Sequence, residues 1–239
     1  MAHDRWKPIE RELRKTVGPL IAGVDEVGRG PLAGPVVACA VVMPPDLRAI
    51  PGVDDSKKLT AEARTRLAVK IRQRAVSIGI GAASVREIDR VNIYQATVLA
   101  MRRALSRLAV PPNHVLIDGK PFRTLEIPHT AIVGGDDVCY SIACASIIAK
   151  VTRDRVMHAL AVRYPNYRWE RNVGYSTLAH VQGLAQYGAT PHHRRSFMPV
   201  GQLSLDLSGD AAASIEAATL DALLGPGVDV SDDPHFMGD

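Results

Sequence analysis

The segment from Leu20 to Pro31 constrains the fold more than any other part of this 239-residue chain. Its first half is an unbroken run of apolar and small residues, which is typical of a strand buried on both faces. Two adjacent carboxylates, Asp25 and Glu26, end this run, and Gly28 and Gly30 follow. Because side chains alternate across a strand, the two acids point to opposite layers. Buried like charges raise a pKa or attract a cation, so this strand end predicts either a polar turn or a charged site.

Two further predicted strands also end near an acid. Asp118 ends an apolar run and is followed by Gly119, and Asp136 follows a predicted strand and two glycines. Carboxylates brought together at strand ends are the oxygen ligands that Mg²⁺ prefers, usually with several waters and substrate phosphate. Asp137 and Asp154 are alternatives to Asp136. Asp137 also fits an acid at a helix N-terminus, and Asp154 fits an ion-paired surface acid.

Hydrophobic periodicity predicts an α/β domain with helices on a mixed sheet. The predicted strands are 20–25, 34–43, 75–83, 114–118 and 130–133. Five helices are predicted. The first is short and polar and ends near residue 15, and the second spans 61–74 with Thr60 as its N-cap. A long third helix follows a capping box at 84–87 and has its buried stripe over 91–108, and the last two span 139–164 and 177–187.

Composition argues against a zinc-binding protein and against a membrane-spanning one. The three cysteines lack C-x-x-C spacing, and no uncharged run is long enough to span a bilayer. We therefore expect a cytoplasmic monomer with no membrane partner. Residues 208–239 carry seven acidic and no Lys or Arg residues, so the rest of the chain is strongly basic and suited to a polyanion. We expect one catalytic domain over 1–201 and an acidic, flexible tail over 202–239.

Six sequence blocks, in order and register, closely resemble bacterial type 2 ribonuclease H, the ribonuclease HII family. The resemblance runs from about Leu20 to Val200 and is carried by the segments 23–31, 55–59, 117–119, 145–154, 172–180 and 188–197. It implies a ribonuclease H-like mixed β-sheet flanked by helices, with a C-terminal helical extension.

The resemblance also implies a set of catalytic and metal-binding acids. They are Asp25, Glu26, Asp118 and Asp136, and they would hold two Mg²⁺ or Mn²⁺ ions during catalysis. The family usually has Lys-Gly-Asp before the fourth acid, where this chain has Gly-Gly-Asp-Asp at 134–137. The fourth ligand is therefore open between Asp136 and Asp137.

The activity implied is endonucleolytic. The family cuts on the 5′ side of ribonucleotides in RNA/DNA hybrids, and of single ribonucleotides embedded in duplex DNA, and leaves 3′-hydroxyl and 5′-phosphate ends. Two other functions stay open: a type 3-like ribonuclease H that acts only on longer hybrids, and a non-catalytic hybrid-binding protein.

The substrate-binding residues implied fall into two groups. Gly28, Arg29, Gly30 and Tyr175 would read the junction, because the 2′-hydroxyl distinguishes RNA from DNA; the alternative for Tyr175 is an ordinary core tyrosine. The candidate phosphate contacts are Ser56, Lys57, Lys58, Arg194 and Arg195. His180 is expected to make a structural hydrogen bond rather than bind metal.

The segment Gln202–Leu207, at the start of the acidic tail, resembles the short peptide with which bacterial replication and repair proteins bind the sliding clamp. A glutamine and spaced apolar side chains on a flexible tether suit such a pocket. The alternative is that its leucines pack on the protein's own core.

Overall fold

The computed structural model describes residues 6, 8–46 and 48–203. The helices of this part are α1 (Ile9–Val17), α2 (Ala61–Arg74), α3 (Val85–Ser106), α4 (Gly135–Val138), α5 (Tyr140–Arg163), α6 (Trp169–Asn172), α7 (Leu178–Tyr187) and α8 (Val200–Leu203). The strands are β1 (Ile21–Val27), β2 (Val36–Val42), β3 (Ser77–Ala83), β4 (His114–Asp118) and β5 (His129–Ile132).

The five strands form one mixed sheet in the order β3-β2-β1-β4-β5. Strands β1, β2 and β3 pair antiparallel, whereas β4 runs parallel to β1 and β5 runs parallel to β4. The parallel half brings the carboxyl ends of β1, β4 and β5 to one edge of the sheet. This arrangement confirms the predicted α/β class with a mixed sheet.

Helices cover both faces of the sheet. Helix α3 packs on one face through a stripe of small and apolar side chains, and α2 and α5 pack on the other. The approach of α3 is so close that a Cβ on Gly79 or Gly81 would lie about 2 Å from a helix carbonyl, at 1.9 and 2.1 Å respectively. Glycine at these positions therefore lets the helix seat directly on β3.

The C-terminal helices build a small layer beside the sheet. Trp169, Tyr167 and Leu184 form its apolar centre, and they pack against Leu32 and Ala33, which follow β1. This layer matches the helical extension that the resemblance implies. It brings the segment after α6 next to the loop that leaves β1.

Most predicted elements are present with small boundary changes. The Thr60 hydroxyl accepts a hydrogen bond from Ala63 N at 3.2 Å, and Ser84 and Glu87 form the predicted capping box. The structure adds a turn of helix that periodicity missed, α4, which begins after Gly134 in the left-handed region at φ 66°. Helix α3 also contains a kink at Asn92, where φ is 70°.

The tail is described only at its start. Gln202 is exposed and α8 ends at Leu203, whereas the rest of the predicted clamp-binding peptide and the acidic tail lie outside the described residues. In the helices that are described, no apolar stretch is long enough to cross a bilayer.

Candidate active site

Two of the predicted acids meet at the carboxyl end of the parallel strand pair. Val24 of β1 lies opposite Ile117 of β4, so the next residue on each strand, Asp25 and Asp118, ends on the same edge. The backbone N–H of Gly135 donates to Asp118 Oδ1 at 2.7 Å. That bond ties the α4 turn, and the acid that it carries, to the end of β4.

Asp25 is buried under α5 and is only 7% exposed. Its Oδ1 accepts a hydrogen bond from the Glu26 N–H at 2.7 Å, and its carboxylate also bonds to the Ser146 side chain. Burial raises the pKa of Asp25 well above its usual value, and the nearby charges of Glu26 and Asp118 raise it further. Ionised Asp25 is therefore a costly charge that a cation would stabilise.

Glu26 faces the other side of β1, as strand alternation predicts. Burial raises the pKa of this carboxyl, while the Arg29 guanidinium, at 3.1 Å from Oε1, opposes the shift. The second oxygen, Oε2, is buried and has no hydrogen-bond partner within the described residues. An unsatisfied buried carboxylate oxygen is costly, and a metal ion is a partner that suits it.

The three candidates for the fourth acid differ in their surroundings. Asp136 is buried, and its pKa is raised by that burial and by the charges of Asp118 and Asp55. Asp137 is exposed and pairs with Lys58 Nζ at 2.7 Å. Asp154 pairs with Lys150 at 2.9 Å on α5. The electrostatic contact with Asp118 favours Asp136 as the fourth member of the site.

The four acids are electrostatic neighbours, yet they do not form a closed ligand cage. Within residues 6, 8–46 and 48–203, no three or more His, Cys, Asp or Glu side chains are arranged so that they could hold a metal ion. Lys57, whose Nζ lies 3.7 Å from Asp136 Oδ2, supplies part of the compensating charge. Because unscreened carboxylates repel one another, closing them around a shared point requires a cation. The donor set, with more acids than paired cations, fits a hard divalent ion.

The loop after β1 brings glycine backbone to the rim of this site. Gly28 has φ 90°, and a Cβ there would lie 2.1 Å from Arg153 Nε, so only glycine fits without a shift. Arg29 and Gly30 are exposed. The Tyr175 ring lies beside Gly30, with Cε1 3.8 Å from the position of a Cβ there. Tyr175 is 45% exposed, so the alternative that it is a core tyrosine is wrong.

The predicted phosphate contacts divide into exposed and buried residues. Lys57, Lys58 and Arg195 are exposed, so their side chains can reach a polyanion, although Lys57 and Lys58 must first leave their acidic partners. Ser56 is buried, and its hydroxyl lies 2.8 Å from Ser146 Oγ. Arg194 is fully buried and donates only to backbone carbonyls in the described part of the chain. Burial keeps both side chains off the surface, which argues against direct phosphate contact by Ser56 and Arg194.

His180 has the structural role that the sequence predicts. Its Nδ1 lies 2.7 Å from the carbonyl oxygen of Tyr175, and its Nε2 accepts from Trp169 Nε1 at 3.0 Å. The ring is buried, which lowers its pKa to about 4. His180 thus fixes the backbone of Tyr175 and stays neutral at physiological pH.

Sequence reasoning assigned no role to three residues that contact the site. Ser146 bonds to Asp25, Asp55 raises the pKa of Asp136, and Arg153 packs behind Gly28. Ser146 and Arg153 lie seven residues apart on α5, two turns along one face of the helix. This spacing was the sequence signal that the two side chains share a face of α5. It could not be used, because the sequence does not show which face of α5 packs on the sheet.

Comparison with known proteins places this geometry in a family. Residues 22–200 match the family model described as ribonuclease HII. A ribonuclease HII from Thermosynechococcus vestitus is 63% identical over 179 residues, which are 74% of this chain and 83% of the relative. One from Gluconobacter oxydans is 58% identical over 187 residues, covering 77% and 90% of the two chains.

Among solved structures, the ribonuclease H2 of Pyrococcus horikoshii has a TM-score of 0.68 at 27% identity, over 80% of this chain and 100% of that one. A complex of PCNA with ribonuclease HII from Archaeoglobus fulgidus contains a similar chain, with a TM-score of 0.62 at 25% identity, over 73% and 93% of the two chains. The sheet is thus ribonuclease H-like. The chain belongs to the ribonuclease HII family and is a nuclease, a hydrolase of the ribonuclease H type.

Proposed function

We propose that this protein cuts the phosphodiester on the 5′ side of ribonucleotides, both in RNA/DNA hybrids and at single ribonucleotides in duplex DNA, and leaves 3′-hydroxyl and 5′-phosphate ends. The observation that carries the proposal is the meeting of two features at one sheet edge. A group of buried acids lies at the ends of β1 and β4 and on α4, and a glycine loop with an exposed tyrosine lies beside it. The first suits phosphodiester hydrolysis and the second suits recognition of a sugar.

The acids Asp25, Glu26, Asp118 and Asp136 are the proposed ligands of two Mg²⁺ or Mn²⁺ ions. When bound, such ions activate a water molecule and stabilise the leaving 3′-oxygen. The raised pKa values of Asp25, Glu26 and Asp136 support the assignment, because burial leaves their negative charge poorly compensated. So does Glu26 Oε2, which has no hydrogen-bond partner among the described residues. Ser146 and the Gly135 N–H orient two of these carboxylates.

We assign recognition of the ribonucleotide to the backbone of Arg29 and Gly30 and to the aromatic ring of Tyr175. The exposed backbone of Arg29 and Gly30 can approach a 2′-hydroxyl closely, since no Cβ stands on Gly30. The Tyr175 ring beside it offers a flat surface for the following sugar. A ring packed on a deoxyribose penalises an extra hydroxyl without reading any base, so the proposal predicts no sequence preference.

We assign the affinity for nucleic acid to positively charged side chains beside the acids. The Lys57 and Lys58 side chains are 81% and 53% exposed, and Arg195 is exposed as well. Lysine and arginine that meet phosphate release counterions and give affinity without sequence reading. We expect the affinity for duplex DNA to fall steeply as salt rises.

The proposal is tested with Tyr175→Ala and two substrates, a duplex with one embedded ribonucleotide and a continuous RNA/DNA hybrid. Because Tyr175 is half exposed, its replacement leaves the thermal stability nearly unchanged. We expect cleavage at the single ribonucleotide to fall at least tenfold, while affinity for an all-DNA duplex is retained. Equal cleavage of both substrates by the variant and the parent would remove Tyr175 from the recognition site.

The assignment of Asp25 to the catalytic site is tested with Asp25→Asn. If Asp25 took no part in catalysis, parent and variant would cleave at the same rate. An enzyme would lose cleavage in the variant and keep its affinity for the hybrid. A type 3-like enzyme would cut the long hybrid and leave the single-ribonucleotide duplex intact.

We also propose that Gln202–Leu207 binds a sliding clamp. Gln202 is exposed near the end of the described residues, and the similar ribonuclease HII of Archaeoglobus fulgidus forms a complex with PCNA. Clamp affinity should fall in Gln202→Ala and in Leu205→Ala, with cleavage unchanged. Unchanged affinity in both variants, or no clamp binding by the parent, would remove the idea.

A further inference from the structure

Two arginine side chains, Arg153 of α5 and Arg194 near the C-terminal end of the domain, are fully buried behind the glycine loop at 0% exposure. Within the described residues, neither guanidinium group forms an ion pair. Each hydrogen bond that they donate goes to a backbone carbonyl. Burial lowers the pKa of both groups, and that of Arg194 to about 9. Burying two cations without a carboxylate partner costs free energy of folding. A specific role of these side chains would explain why they are buried.

Arg194 binds the loop from behind. Its Nη1 donates to the Arg29 carbonyl at 2.8 Å, its Nη2 donates to the Gly28 carbonyl, and its Nε and Nη2 donate to the Gly34 carbonyl at 3.0 and 2.9 Å. One rigid planar fork therefore fixes three carbonyls of the eight-residue loop between β1 and β2. A lysine ammonium is a single point with three donors and cannot reproduce this geometry.

Arg153 joins that loop to the segment that carries Tyr175. Its Nε donates to Pro35 O at 3.0 Å, Nη2 to Ala33 O at 3.0 Å and Nη1 to Val173 O at 2.9 Å. A backbone bond from Leu32 N to Gly174 O at 2.8 Å lies alongside. The loop and the tyrosine segment are thus held by the same buried group.

The direction of the loop carbonyls has a consequence for recognition. In a trans peptide the N–H of each residue points away from the carbonyl of the residue before it. With the carbonyls of Gly28 and Arg29 turned inward to Arg194, the N–H groups of Arg29 and Gly30 point outward from that guanidinium. Both residues are exposed, so two backbone donors face the side where a sugar-phosphate would lie.

We propose that Arg194 and Arg153 are positioning residues for ribonucleotide selectivity: they turn the backbone N–H donors of Arg29 and Gly30 outward and fix their distance from Tyr175. The ligand class is an oxygen-rich sugar-phosphate with a 2′-hydroxyl. The inference rests on the proposed function and adds to it, since it assigns the selectivity to two residues that touch no substrate. Arg194 thereby receives a role different from direct phosphate binding.

The test compares Arg194→Lys, Arg194→Gln and Arg153→Lys with the parent, all as full-length protein. Equilibrium affinity is measured in chelator, which prevents cleavage, for a duplex with one ribonucleotide and for the same duplex in DNA alone. Initial cleavage rates are then measured with Mn²⁺. Arg103→Lys is the matched control, because Arg103 on α3 also donates to a backbone carbonyl, Ala82 O at 2.7 Å, on the opposite face of the sheet.

We expect the parent to prefer the ribonucleotide duplex and the loop variants to lose that preference. Misplacing a recognition group by about 1 Å costs up to about 100-fold in rate, so cleavage should fall 10- to 100-fold. Affinity for the all-DNA duplex should stay within twofold, and Arg103→Lys should keep the parent's preference. Thermal melting identifies any variant that does not fold; Arg194→Lys, which keeps the charge, is the least disruptive change.

A merely structural role gives a different result. Affinity for both duplexes and the cleavage rate would then fall in proportion to the folded fraction, with the preference unchanged, and the inference would be wrong. A parent that neither prefers nor cuts the ribonucleotide duplex would instead overturn the proposed function, and this inference with it. Retained cleavage and preference in all three variants would overturn the inference alone.

Discussion

The Nε2 atoms of His180 and His193 lie 3.0 Å apart in a buried contact between two imidazole rings. The His180 Nδ1–H faces the Tyr175 carbonyl, and His193 Nδ1 accepts from Thr190 N at 2.9 Å. These bonds fix the tautomers: His180 carries its proton on Nδ1 and His193 on Nε2, so the lone pair of His180 Nε2 is shared between the Trp169 Nε1–H and the His193 Nε2–H. The pair is neutral and holds the backbone of Tyr175, the tyrosine of the proposed recognition site, through the His180 Nδ1–H.

This pair predicts a loss of stability in mild acid. Burial lowers the pKa of His180 to about 4 and that of His193 to about 3, whereas both are near 6.5 in the unfolded chain. The unfolded state therefore binds more protons below pH 6.5, and the free energy of unfolding falls by about 1 kcal/mol per pH unit for each ring as the pH drops from 6.5 toward 4.

Thermal unfolding of the parent and His193→Gln between pH 4 and 8 checks this prediction. Other titrating groups contribute equally to both proteins, so the difference in slope isolates the histidine. We expect the variant to be less stable than the parent at pH 8 and to have a flatter profile below pH 6.5. Parallel profiles would show that the rings are not held neutral.

Replacing Asp25 by Asn should separate stability from activity. The pKa of Asp25 is raised by burial and by Glu26 and Asp118, so the folded protein loses stability as the pH rises from the ordinary carboxyl pKa to the raised one. The amide removes this charge and keeps the acceptor for the Glu26 N–H. We expect a higher melting temperature at pH 8, and cleavage lowered by more than about 100-fold, since loss of even an outer-shell partner of a metal ligand costs 10–100-fold. A less stable, active variant would contradict both assignments.

Divalent ions should stabilise the folded protein without any substrate. At 100 times its dissociation constant a ligand adds about 2.7 kcal/mol, which for a domain of this size raises the melting temperature by roughly 5–10 °C. Melting curves with Mg²⁺, Mn²⁺ or chelator measure the shift. Asp25→Asn should reduce it. If neither ion changes the melting temperature of the parent, the metal site at the strand ends is excluded.

Gly28→Ala should harm the protein through close packing and not only through its backbone angle. Gly28 and Gly119 have similar positive φ, at 90° and 85°, but a Cβ on Gly28 meets Arg153 Nε at 2.1 Å whereas one on Gly119 meets nothing within 4 Å. Backbone strain at positive φ costs each alanine variant about 1–3 kcal/mol. We expect Gly28→Ala to lose a further 1–3 kcal/mol, approximately, from overpacking. Denaturant titration of both variants provides the comparison, and equal losses would refute the packing argument.

The sequence predicted the elements whose signals are local. Thr60 and the Ser84–Glu87 box fixed two helix starts, and the apolar runs before Asp25 and Asp118 fixed two strands. The α4 turn was missed because four residues are too few to show a period, and its start depends on a left-handed glycine.

The exposure of the candidate site residues could not be predicted from the sequence. Tyr175, Ser56 and Arg194 all lie in recognisable motifs, yet only the packing of the C-terminal layer shows that the tyrosine is half exposed and that the other two are buried. Burial depends on contacts between segments far apart in the chain, such as that between Arg194 and Gly28. No local pattern reports such contacts.

The most direct test of the account is cleavage of duplex DNA that contains one ribonucleotide, by the full-length protein, with Mg²⁺, Mn²⁺ or chelator present. We predict a single nick on the 5′ side of the ribonucleotide with either ion, leaving a 3′-hydroxyl and a 5′-phosphate, and no nick with chelator. An intact strand at every concentration of both ions, or cleavage that survives chelation, would contradict the assignment of this sheet edge as a metal-dependent ribonuclease site.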